Sequence, residues 1–488
     1  MTLKDNEQAV LDQVPTELYI GGAWRVASGG GTLTVEDPST GEALCEVADA
    51  QPDDALDALA AAAARQAEWA AHPPRERGEI LRRAYEELTA RREELALLMT
   101  LEMGKALAES EAEIAYAAEF FRWFSEEAVR IHGRYMTNTT GQGRILTMRQ
   151  PVGPCVFVTP WNFPMAMGTR KLAPALAAGC TVVVKPAQQT PLSMLALTQI
   201  LARAGLPGGV LNTITARHSG EVIEPLLRDR RTRKLSFTGS TEVGRTLIEQ
   251  SAERVLRVSM ELGGNAPFIV FADADLDAAV DGAMTAKMRN VGEACTAANR
   301  FHVQESIAEE FARRLAERMA ALKVGRGTEP DTDVGPLIDA RQREKVAELV
   351  ADARERGARV LTGGEVLSGR GYFFEPTVIQ GVPADARMLA EEIFGPVAPI
   401  ATFATEDEAL AAANRTEYGL VAYLYTRDLA RAFRVAEGIE TGMVGLNQGI
   451  VSNAAAPFGG VKESGFGREG GFEGIGEYLE TKYVALSL

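Results

Sequence analysis

A cysteine surrounded by small residues is the first candidate for a reactive group in this chain. Cys295 lies in the stretch T-A-K-M-R-N-V-G-E-A-C-T-A-A-N-R, which spans residues 285–300. Its glycine, alanine and threonine neighbours leave the sulfur uncovered, so another molecule can approach closely. A thiolate is the strongest nucleophile among the side chains, provided that it is reachable and its charge is stabilised. A free cysteine is more often a buried structural residue, so the rest of the chain must decide between the two interpretations.

Two other motifs contain residues that suit acyl chemistry. P-W-N-F-P follows a β-rich run and places Asn162 at a strand end, where the ligands of open α/β sheets bind. Its amide suits an oxyanion donor because it does not ionise and so keeps its N–H groups. The alternative interpretation of the motif is a rigid turn. M-E-L-G-G-N places Glu261 at the end of an apolar run, where a raised pKa suits a general base. The alternative there is a glutamate beside a flexible turn.

Three further segments have residues that suit a nucleotide. Lys185 ends a buried V-V-V run, from which it can reach ribose hydroxyls or a phosphate. In F-T-G-S-T-E-V-G, Gly239 and Ser240 come at a strand–helix junction, whose backbone amides can bind a pyrophosphate. This is not the G-x-G-x-x-G pattern, so the spacing alone is a weak signal. In E-E-I-F-G-P, Glu392 and Phe394 can hold a ribose and back a flat ring, although ordinary packing also explains them.

The elements that position these groups follow from the hydrophobic pattern. Residues 54–70, 75–99 and 106–132 have the apolar spacing of helices. From residue 153 to about Pro457, continuous apolar runs alternate with helical stretches in two successive blocks. Such alternation is typical of parallel sheets covered by helices on both faces. The sequence therefore predicts an α/β fold with two Rossmann-like, doubly wound parallel-sheet domains.

Two β-like segments, residues 134–148 and 478–486, belong to neither sheet. Because an exposed strand pair normally needs cover, we interpret them as an arm that pairs with another subunit.

The composition excludes several classes of protein. The chain has 488 residues, and 51 basic against 67 acidic residues give a net charge of −16, which argues against a nucleic acid as partner. Four widely spaced cysteines predict neither a metal site nor a disulfide framework. Residues 150–169 have the length of a membrane span, but four prolines interrupt them, so no membrane segment is expected. The N-terminal residues lack a signal-peptide pattern, which predicts a cytoplasmic enzyme.

Seven motifs, in this order and spacing, make the chain similar to the aldehyde dehydrogenase superfamily. They are P-W-N-F-P, V-V-K-P-A, F-T-G-S-T-x-x-G, M-E-L-G-G-N, G-E-A-C, E-E-I-F-G-P and P-F-G-G-V-K-E-S-G-F-G-R-E-G. The resemblance covers nearly the whole chain. It implies a cofactor-binding domain of residues 1–130 and 151–262 and a catalytic domain of residues 263–457. It also implies an oligomerisation arm of residues 131–150 and 470–488.

The resemblance implies a role for each candidate residue. Cys295 would be the nucleophile that forms a thiohemiacetal and then a thioester, and Glu261 the base that deacylates it. Asn162 and the backbone N–H of Cys295 would form the oxyanion hole. Relatives that pass the acyl group to coenzyme A or phosphate lack this glutamate, so its presence implies hydrolysis. The implied cofactor-binding residues are Trp161, Lys185, Gln188, Gly239, Ser240, Leu262, Glu392 and Phe394.

Three positions resemble the substrate-binding residues of succinate-semialdehyde dehydrogenases. Arg289, Arg170 and Ser452 match the two arginines and the serine that hold the distal carboxylate there. Two guanidinium groups and a hydroxyl suit a carboxylate several carbons from the reacting carbonyl. The resemblance therefore implies oxidation of succinate semialdehyde to succinate. The alternatives are glutarate semialdehyde or a small neutral aldehyde as substrate, two structural arginines in salt bridges, and a non-catalytic protein on this fold, which should lack Cys295 or Glu261.

Three departures from the family pattern modify these expectations. Gln188 stands where NAD-preferring members usually have glutamate, so we expect NADP to be accepted alongside NAD or preferred to it. Glu293 in G-E-A-C is expected to add negative charge near the thiol and to raise its pKa. Thr296 and Ala297 follow the nucleophile, so the second cysteine that serves some relatives as a redox switch is absent. The expected partners are a small semialdehyde and identical subunits in a homodimer or homotetramer, with no nucleic acid, membrane or metal ion.

Overall fold

The first of two parallel-sheet units is built from the strands before residue 262. Residues 4–487 are described by a computed structural model; residues 1–3 of the expected cofactor domain and Leu488 of the expected arm lie outside them. The strands of this part are β1 (Leu18–Ile20), β2 (Ala23–Arg25), β3 (Thr32–Asp37), β4 (Glu42–Ala48), β5 (Arg134–Thr137), β6 (Arg144–Pro151), β7 (Cys155–Val158), β8 (Val182–Lys185), β9 (Leu211–Thr213), β10 (Lys234–Thr238) and β11 (Arg257–Glu261).

Five of these strands form a parallel core in the order β9-β8-β7-β10-β11, with β1 and β2 added antiparallel at one edge. The core strands are short apolar runs such as C-V-F-V in β7, because both faces of the sheet are buried. The strand order reverses between β7 and β10. In open α/β sheets, ligands bind at the carboxyl ends of the strands at such a reversal.

Helices cover both faces of this sheet. They are α1 (Asp5–Leu11), α2 (Pro52–Ala71), α3 (Pro74–Ala90), α4 (Arg92–Met103), α5 (Leu107–Glu127), α6 (Ala166–Ala178), α7 (Leu192–Arg203), α8 (Ser219–Arg228) and α9 (Thr241–Ala252). One hydrophobic core contains residues of α3 to α7, and a second core, on the opposite face, contains residues of α2, α8 and α9. The predicted single helix of residues 75–99 is wrong, since the chain breaks at Arg91 (φ −103°, ψ 20°) into α3 and α4.

The second unit is a seven-stranded sheet in the order β14-β15-β16-β13-β12-β18-β19. All neighbouring pairs except β14–β15 are parallel. The remaining strands are β12 (Ala266–Val270), β13 (Ala298–Gln304), β14 (Arg359–Thr362), β15 (Thr377–Gln380), β16 (Val397–Phe403), β17 (Tyr418–Gly419), β18 (Val421–Tyr425), β19 (Met443–Leu446), β20 (Val461–Lys462), β21 (Gly465–Phe466) and β22 (Leu479–Leu486). The predicted α/β fold with two doubly wound parallel sheets is therefore confirmed.

The helices of the second unit are α10 (Leu276–Met288), α11 (Glu305–Ala320), α12 (Ala340–Glu355), α13 (Arg387–Ala390), α14 (Glu406–Asn414), α15 (Leu429–Gly438) and α16 (Glu473–Gly476), with a 3₁₀ turn at Arg289–Gly292. After this unit the chain returns to the first sheet, because β21 pairs antiparallel with β11. Residues near the C-terminus thereby reach the edge of the sheet that ends in Glu261. The sequence pattern gave no sign of this return.

A three-stranded antiparallel sheet, β22-β6-β5, stands apart from both units. β22 pairs with β6 along its whole length, from Leu479 opposite Pro151 to Leu486 opposite Arg144. Residues 150–169, which have the length of a membrane span, instead form the end of β6, β7, a loop and the start of α6. Within residues 4–487, no helix has both the length and the apolar character needed to cross a bilayer.

Candidate active site

One cavity of about 220 Å³ gathers nine of the residues expected to act at the site. It opens where β7, β10 and β11 end, at the reversal of strand order in the first sheet. The turn that contains Cys295 and the loop after α13 close it from the second unit. The nine residues are Trp161, Asn162, Gly239, Ser240, Glu261, Leu262, Cys295, Glu392 and Phe394. Five motifs spread along the chain therefore contribute to one concave surface.

An unusual backbone kink brings Cys295 into this cavity. After α10, Asn290 (φ 53°) and Val291 (φ 58°) adopt left-handed conformations that few side chains tolerate. Gly292 follows with φ 77°, and a Cβ atom there would collide with the carbonyl oxygen of Gly395. The glycine in G-E-A-C is thus required both by its φ angle and by the close approach of the E-E-I-F-G-P loop.

The environment of the Cys295 thiol determines its protonation. Burial raises the pKa of this thiol to about 12, and Arg170 acts in the opposite direction. The carboxyl groups of Glu392 and Glu261 raise the pKa further, and Arg289 lowers it. Because only the thiolate is nucleophilic, the resting thiol must lose its proton before it can attack a carbonyl.

Glu293 lies two residues before Cys295 and contacts the chain near Ile338. Its side chain is buried, and its Oε1 accepts a hydrogen bond from the backbone N–H of Ile338 at 3.1 Å. Burial raises the pKa of Glu293 well above its usual value. Desolvation therefore disfavours the negative charge that was expected beside Cys295, and the effect of Glu293 on the thiol stays a prediction.

Asn162 is held so that part of its amide remains available. Its Nδ2 donates to the carbonyl oxygen of Glu293 at 2.9 Å, and a primary amide has a second N–H. Lys105 Nζ and Asn290 Nδ2 donate to the carbonyl oxygen of Asn162 at 2.8 and 3.0 Å, which fixes the loop. The backbone N–H of Cys295 donates to no group among residues 4–487. Two donors thus remain free next to the sulfur, as an oxyanion hole requires.

Glu261 is the last residue of β11 and is only 4% exposed. Its Oε2 has no hydrogen-bond partner within the described part of the chain. Burial raises the pKa of Glu261 well above the usual range and Glu469 raises it further, whereas Arg170 and Lys171 lower it. Glu261 therefore has an oxygen without a partner in this part of the chain, in the same cavity as Cys295, and it ionises at a higher pH than an ordinary glutamate.

Several groups fit the phosphates and the ribose of a dinucleotide. Lys185, at the end of β8, is 3% exposed, and burial is the only influence on its pKa, which falls to about 8. A buried cation without a partner is unfavourable, so an anion is expected to bind there. Ser240 accepts a hydrogen bond from the N–H of Val243 at 3.4 Å and caps the N-terminus of α9. The other N–H groups of this first turn remain available to a pyrophosphate.

α12 supplies two cavity residues that the sequence reasoning missed. Lys345 Nζ donates to the carbonyl oxygen of Glu392 at 2.7 Å. Gln342 Nε2 donates to the carbonyl oxygen of Phe394 at 2.6 Å, and Phe394 has a left-handed φ of 54°. The Phe394 ring meets the edge of Trp161 at a centroid distance of 5.4 Å. Gln342 and Lys345 thus fix the loop that contributes Glu392 and an aromatic wall.

A second cavity, of about 350 Å³, contains two of the three expected substrate-binding residues. Arg289 Nη1 donates to Ser452 Oγ at 3.3 Å. The Arg289 guanidinium lies over the Phe163 ring, 4.8 Å from its centroid. The cavity adjoins the catalytic loop, because Phe163 and Asn290 are neighbours or partners of Asn162. Its lining residues are Lys105, Glu109, Ala112, Glu113, Tyr116, Phe163, Arg289, Asn290, Ile450 and Ser452.

Arg170 does not line this second cavity. It is 2% exposed and forms an ion pair with Glu469 at 2.5 Å. Its guanidinium lies 3.9 Å from the centroid of the Phe458 ring. Lys171 Nζ contacts the other oxygen of Glu469, also at 2.5 Å. The structure therefore places Arg170 in a buried salt bridge, the alternative that the sequence had left open for both arginines.

Gln188 also lies outside the main cavity. It is exposed and lines a third cavity, of about 230 Å³, together with Gln189 and Arg217. The Arg217 side chain donates to the carbonyl oxygen of Thr32 at 3.2 Å and lies 3.8 Å from Asp49. The residue that was expected to influence cofactor choice is thus close to a second amide and a guanidinium.

A buried ion pair behind the catalytic loop was not anticipated. Lys105 Nζ contacts Glu113 at 2.6 Å, and both side chains are about 1% exposed. Glu113 Oε1 accepts hydrogen bonds from the N–H groups of Met165 and Ala166, each at 3.0 Å, at the start of α6. Sequence reasoning missed the pair because charged residues in helical patterns are usually exposed.

Comparisons with known proteins agree with this arrangement. The sequence model of the aldehyde dehydrogenase family matches residues 24–484 of this chain. The succinate-semialdehyde dehydrogenase of Paenarthrobacter nicotinovorans is 59% identical over 91% of this chain and 99% of its own length. The glutarate-semialdehyde dehydrogenase of Pseudomonas putida is 50% identical over 97% of this chain and 98% of its own length. The crystal structure of an NADP dependent enzyme from E. coli covers 100% of both chains, with 47% identity and a TM-score of 0.97.

Proposed function

The chain belongs to the aldehyde dehydrogenase family, and from this premise we propose that it oxidises succinate semialdehyde to succinate. The protein is an NAD(P)-dependent aldehyde dehydrogenase. We propose which aldehyde it oxidises and which role each residue has. They are supported by the two adjoining cavities and by the residues that line each of them.

Cys295 is proposed as the nucleophile and Asn162 as the group that stabilises the first product. Once ionised, the Cys295 sulfur adds to the aldehyde carbon and converts its oxygen into an alkoxide. The free N–H of Asn162 and the backbone N–H of Cys295 donate to that oxygen. Removal of one such donor typically lowers the rate by about 10²–10³-fold.

Glu261 is proposed as the base that completes the reaction. A nicotinamide held beside Cys295 would supply the acceptor for the hydride that the substrate carbon loses, and Cys295 would then hold the acyl group as a thioester. Glu261 then removes a proton from water, the water attacks the thioester, and the carboxylic acid is released with regeneration of the thiol. The free Oε2 of Glu261 in the cavity supports this role.

The cofactor is proposed to lie along the carboxyl ends of the first sheet. Lys185 would bind the adenosine ribose or its phosphate, and Gly239 with Ser240 the pyrophosphate. Glu392 and Phe394 would hold the nicotinamide riboside, with Trp161 and Leu262 as neighbouring walls. This assignment is supported by Lys185, which is buried and has no partner among residues 4–487, and by the N–H groups at the start of α9 that the same residues leave without an acceptor.

The observation that carries the choice of substrate is the pair Arg289 and Ser452 in the cavity beside the catalytic loop. Arginine and hydroxyl donors are suited to a carboxylate. Arg289 is separated from Cys295 by only the kinked segment, which limits the length of the molecule between them. A semialdehyde with a terminal carboxylate a few carbons from the reacting carbonyl suits these two requirements. Arg170 remains a proposed contributor, although its ion pair with Glu469 already neutralises it.

A panel of aldehydes tests the proposal directly. We expect kcat/KM to be highest for succinate semialdehyde, lower for glutarate semialdehyde and lowest for butanal, which has four carbons but no carboxylate. Arg289→Ala should raise KM for succinate semialdehyde much more than for butanal. Arg92→Ala is the matched control, because Arg92 is 49% exposed at the start of α4. Equal effects of Arg289→Ala on both substrates would refute a carboxylate-binding role.

Glutarate semialdehyde is the second candidate substrate. The specific observation that favours it is the 50% identity to the glutarate-semialdehyde dehydrogenase of Pseudomonas putida. The two semialdehydes differ by one methylene, which is worth only about 1–3 kcal/mol in a binding pocket. The same panel therefore decides between them by the ratio of their kcat/KM values.

NADP is proposed to be accepted at least as well as NAD. The neutral amide of Gln188 does not repel a 2′-phosphate, and Arg217 adds a positive charge to the same cavity. Replacement Gln188→Glu should lower kcat/KM for NADP relative to NAD. The change Gln189→Glu, at a half-buried neighbour in the same cavity, shows how much of this effect is general repulsion. A strong NAD preference of the unchanged protein would contradict this part of the proposal.

We also propose two domains and an arm that joins subunits. Residues 1–130 and 151–262 would bind the cofactor, and residues 263–457 would supply the nucleophile. The sheet β22-β6-β5 would join subunits into a homodimer or homotetramer. Four unpaired cysteines, one of them the proposed nucleophile, suit the reducing conditions of the cytoplasm.

A further inference from the structure

Glu109, on α5, contacts both the proposed substrate cavity and the kinked segment before Cys295. It lines the cavity that contains Arg289 and Ser452. Its Oε1 accepts a hydrogen bond from the backbone N–H of Asn290 at 2.5 Å. Its Oε2 is hidden from solvent and has no partner among residues 4–487.

The hydrogen bond to Asn290 acts at the most strained point of the catalytic segment. Asn290 and Val291 are both left-handed, and left-handed conformations of such residues cost free energy that the surroundings must offset. The side-chain Nδ2 of Asn290 donates to the carbonyl oxygens of Asn162 and Glu293, at 3.0 and 2.9 Å. A loss of the Glu109 contact would therefore loosen the kink and shift both Asn162 and the turn of Cys295.

The same carboxyl group is part of the charge of the substrate cavity. Arg289 and Lys105 are the cations that face it, and Glu113 and Tyr116 are the other titratable groups of the lining. Lys105 is already paired with Glu113. The charge that a bound carboxylate meets is thus set by Arg289 and by the state of Glu109.

We propose that Glu109 is a positioning residue that holds the kink at Asn290 in place, and that its ionised form weakens the binding of an anionic substrate. The first part concerns the acyl chemistry itself and does not depend on which aldehyde is oxidised. The second part rests on the proposed function, since it requires a substrate with a carboxylate.

The dependence on pH has a definite direction. Burial raises the pKa of Glu109 to about 7, and Asn290, Lys105 and Arg289 lower it, whereas Glu113 raises it. Below this pH the group is neutral and Arg289 attracts the substrate carboxylate without competition. Above it the Glu109 carboxylate opposes that attraction, so KM for an anionic aldehyde should rise. KM for butanal should not change in this way.

Two replacements separate the roles of the oxygen and of the charge. Glu109→Gln keeps an acceptor for the N–H of Asn290 and removes the charge, whereas Glu109→Ala removes both. Glu109→Ala should lower kcat by about 10- to 100-fold with butanal and with succinate semialdehyde alike, as expected for a misplaced reacting group. Glu109→Gln should retain most of kcat and abolish the rise of KM with pH.

Glu111→Gln is the matched control, because it removes the same charge from the same helix at a side chain that is 36% exposed. Thermal melting and titration with the reduced cofactor establish that each variant is folded. If Glu109→Ala does not fold, Glu109→Asp replaces it. The shorter side chain keeps the negative charge but cannot reach the N–H of Asn290, so kcat should fall as expected for Glu109→Ala.

Two results would overturn the proposal. If kcat with butanal is unchanged in Glu109→Ala, or is lost equally in Glu109→Gln, the hydrogen bond does not position the kink. If KM for succinate semialdehyde still rises with pH in Glu109→Gln, the charge of Glu109 is not responsible. The measurements with butanal remain decisive for the first part even if another aldehyde proves to be the natural substrate.

Discussion

Glu261 and Cys295 share a cavity, but their reactive forms are both favoured by raised pH. Burial raises the pKa of the thiol to about 12 and raises the pKa of the Glu261 carboxyl. The protonated forms therefore predominate at low pH, where neither nucleophile nor base is available. We expect the steady-state rate to fall as pH decreases through the pKa of Glu261.

Replacement of Glu261 by Gln should separate formation of the thioester from its hydrolysis. The variant keeps Cys295 and Asn162, so it should form the acyl-enzyme and release one equivalent of reduced cofactor per subunit in a burst. Later turnovers should be slower by about 10²–10⁴-fold, the usual contribution of a general base. Rapid-mixing measurements of nicotinamide absorbance follow both phases. Cys295→Ala should give no burst, and wild-type turnover in Glu261→Gln would exclude the proposed base.

Glu469 has a different task, because it neutralises two buried cations behind the cavity. Its oxygens contact Arg170 and Lys171, each at 2.5 Å. Glu469→Gln would leave both cations without a counter-charge, and breaking such a buried pair typically costs about 3–5 kcal/mol. Denaturation by urea should show this loss in the free energy of unfolding. Glu473→Gln, exposed on α16, should have almost no effect, and equal stability of both variants would contradict the assignment.

At the scale of elements, α12 of the second unit shapes a loop that faces the first. Gln342 and Lys345 hold the carbonyl groups of Phe394 and Glu392. The left-handed backbone of Phe394 persists because these contacts fix it. The position of α12 therefore shapes the proposed cofactor site, although the helix contains none of the seven motifs.

Gln342→Ala should weaken cofactor binding. Loss of a hydrogen bond of ordinary strength corresponds to about 2- to 10-fold in affinity. Fluorescence titration with the reduced cofactor measures the change. Glu344→Ala is the control, since Glu344 is exposed on the same helix. Identical affinities of the two variants would show that the loop keeps its shape without Gln342.

The elements that the sequence predicted correctly are those with a strong local pattern. Apolar runs predicted β7, β8 and β10 because both faces of these strands are buried, and the glycine-containing motifs predicted the loops between strands and helices. The break at Arg91 was missed, since the apolar spacing continues across it from α3 into α4. Short helices such as α13 have too few residues for a periodic pattern.

The site could be predicted where a motif supplies its own geometry. The glycine of G-E-A-C, Gly292, is an example, because a side chain at this position would collide with the backbone of Gly395. The partner of Arg170 could not be found in this way, because Glu469 lies far along the chain and meets it only after β21 has returned to the first sheet. The burial of Glu293 was missed for a similar reason, since it depends on residues around Ile338.

At the scale of the whole molecule, the sheet β22-β6-β5 has surfaces that the described chain leaves uncovered. Every residue of β5 is exposed, and this strand forms an edge of its sheet. Tyr135, Met136 and Tyr483 are 62%, 49% and 61% exposed. Uncovered strand edges with apolar side chains favour association. A second copy of this chain is the partner that the proposed arm requires.

Negative charges on β5 should weaken this association between subunits. The double replacement Tyr135→Asp and Met136→Asp should lower the molar mass measured by analytical ultracentrifugation to that of a smaller assembly or of the monomer. Charges at both positions oppose burial of the edge, whereas β5 itself keeps its pairing with β6. Val255→Asp is the control, because Val255 is an apolar residue that is 90% exposed outside this sheet. An unchanged mass of the double variant would mean that β5 lies outside the subunit interface.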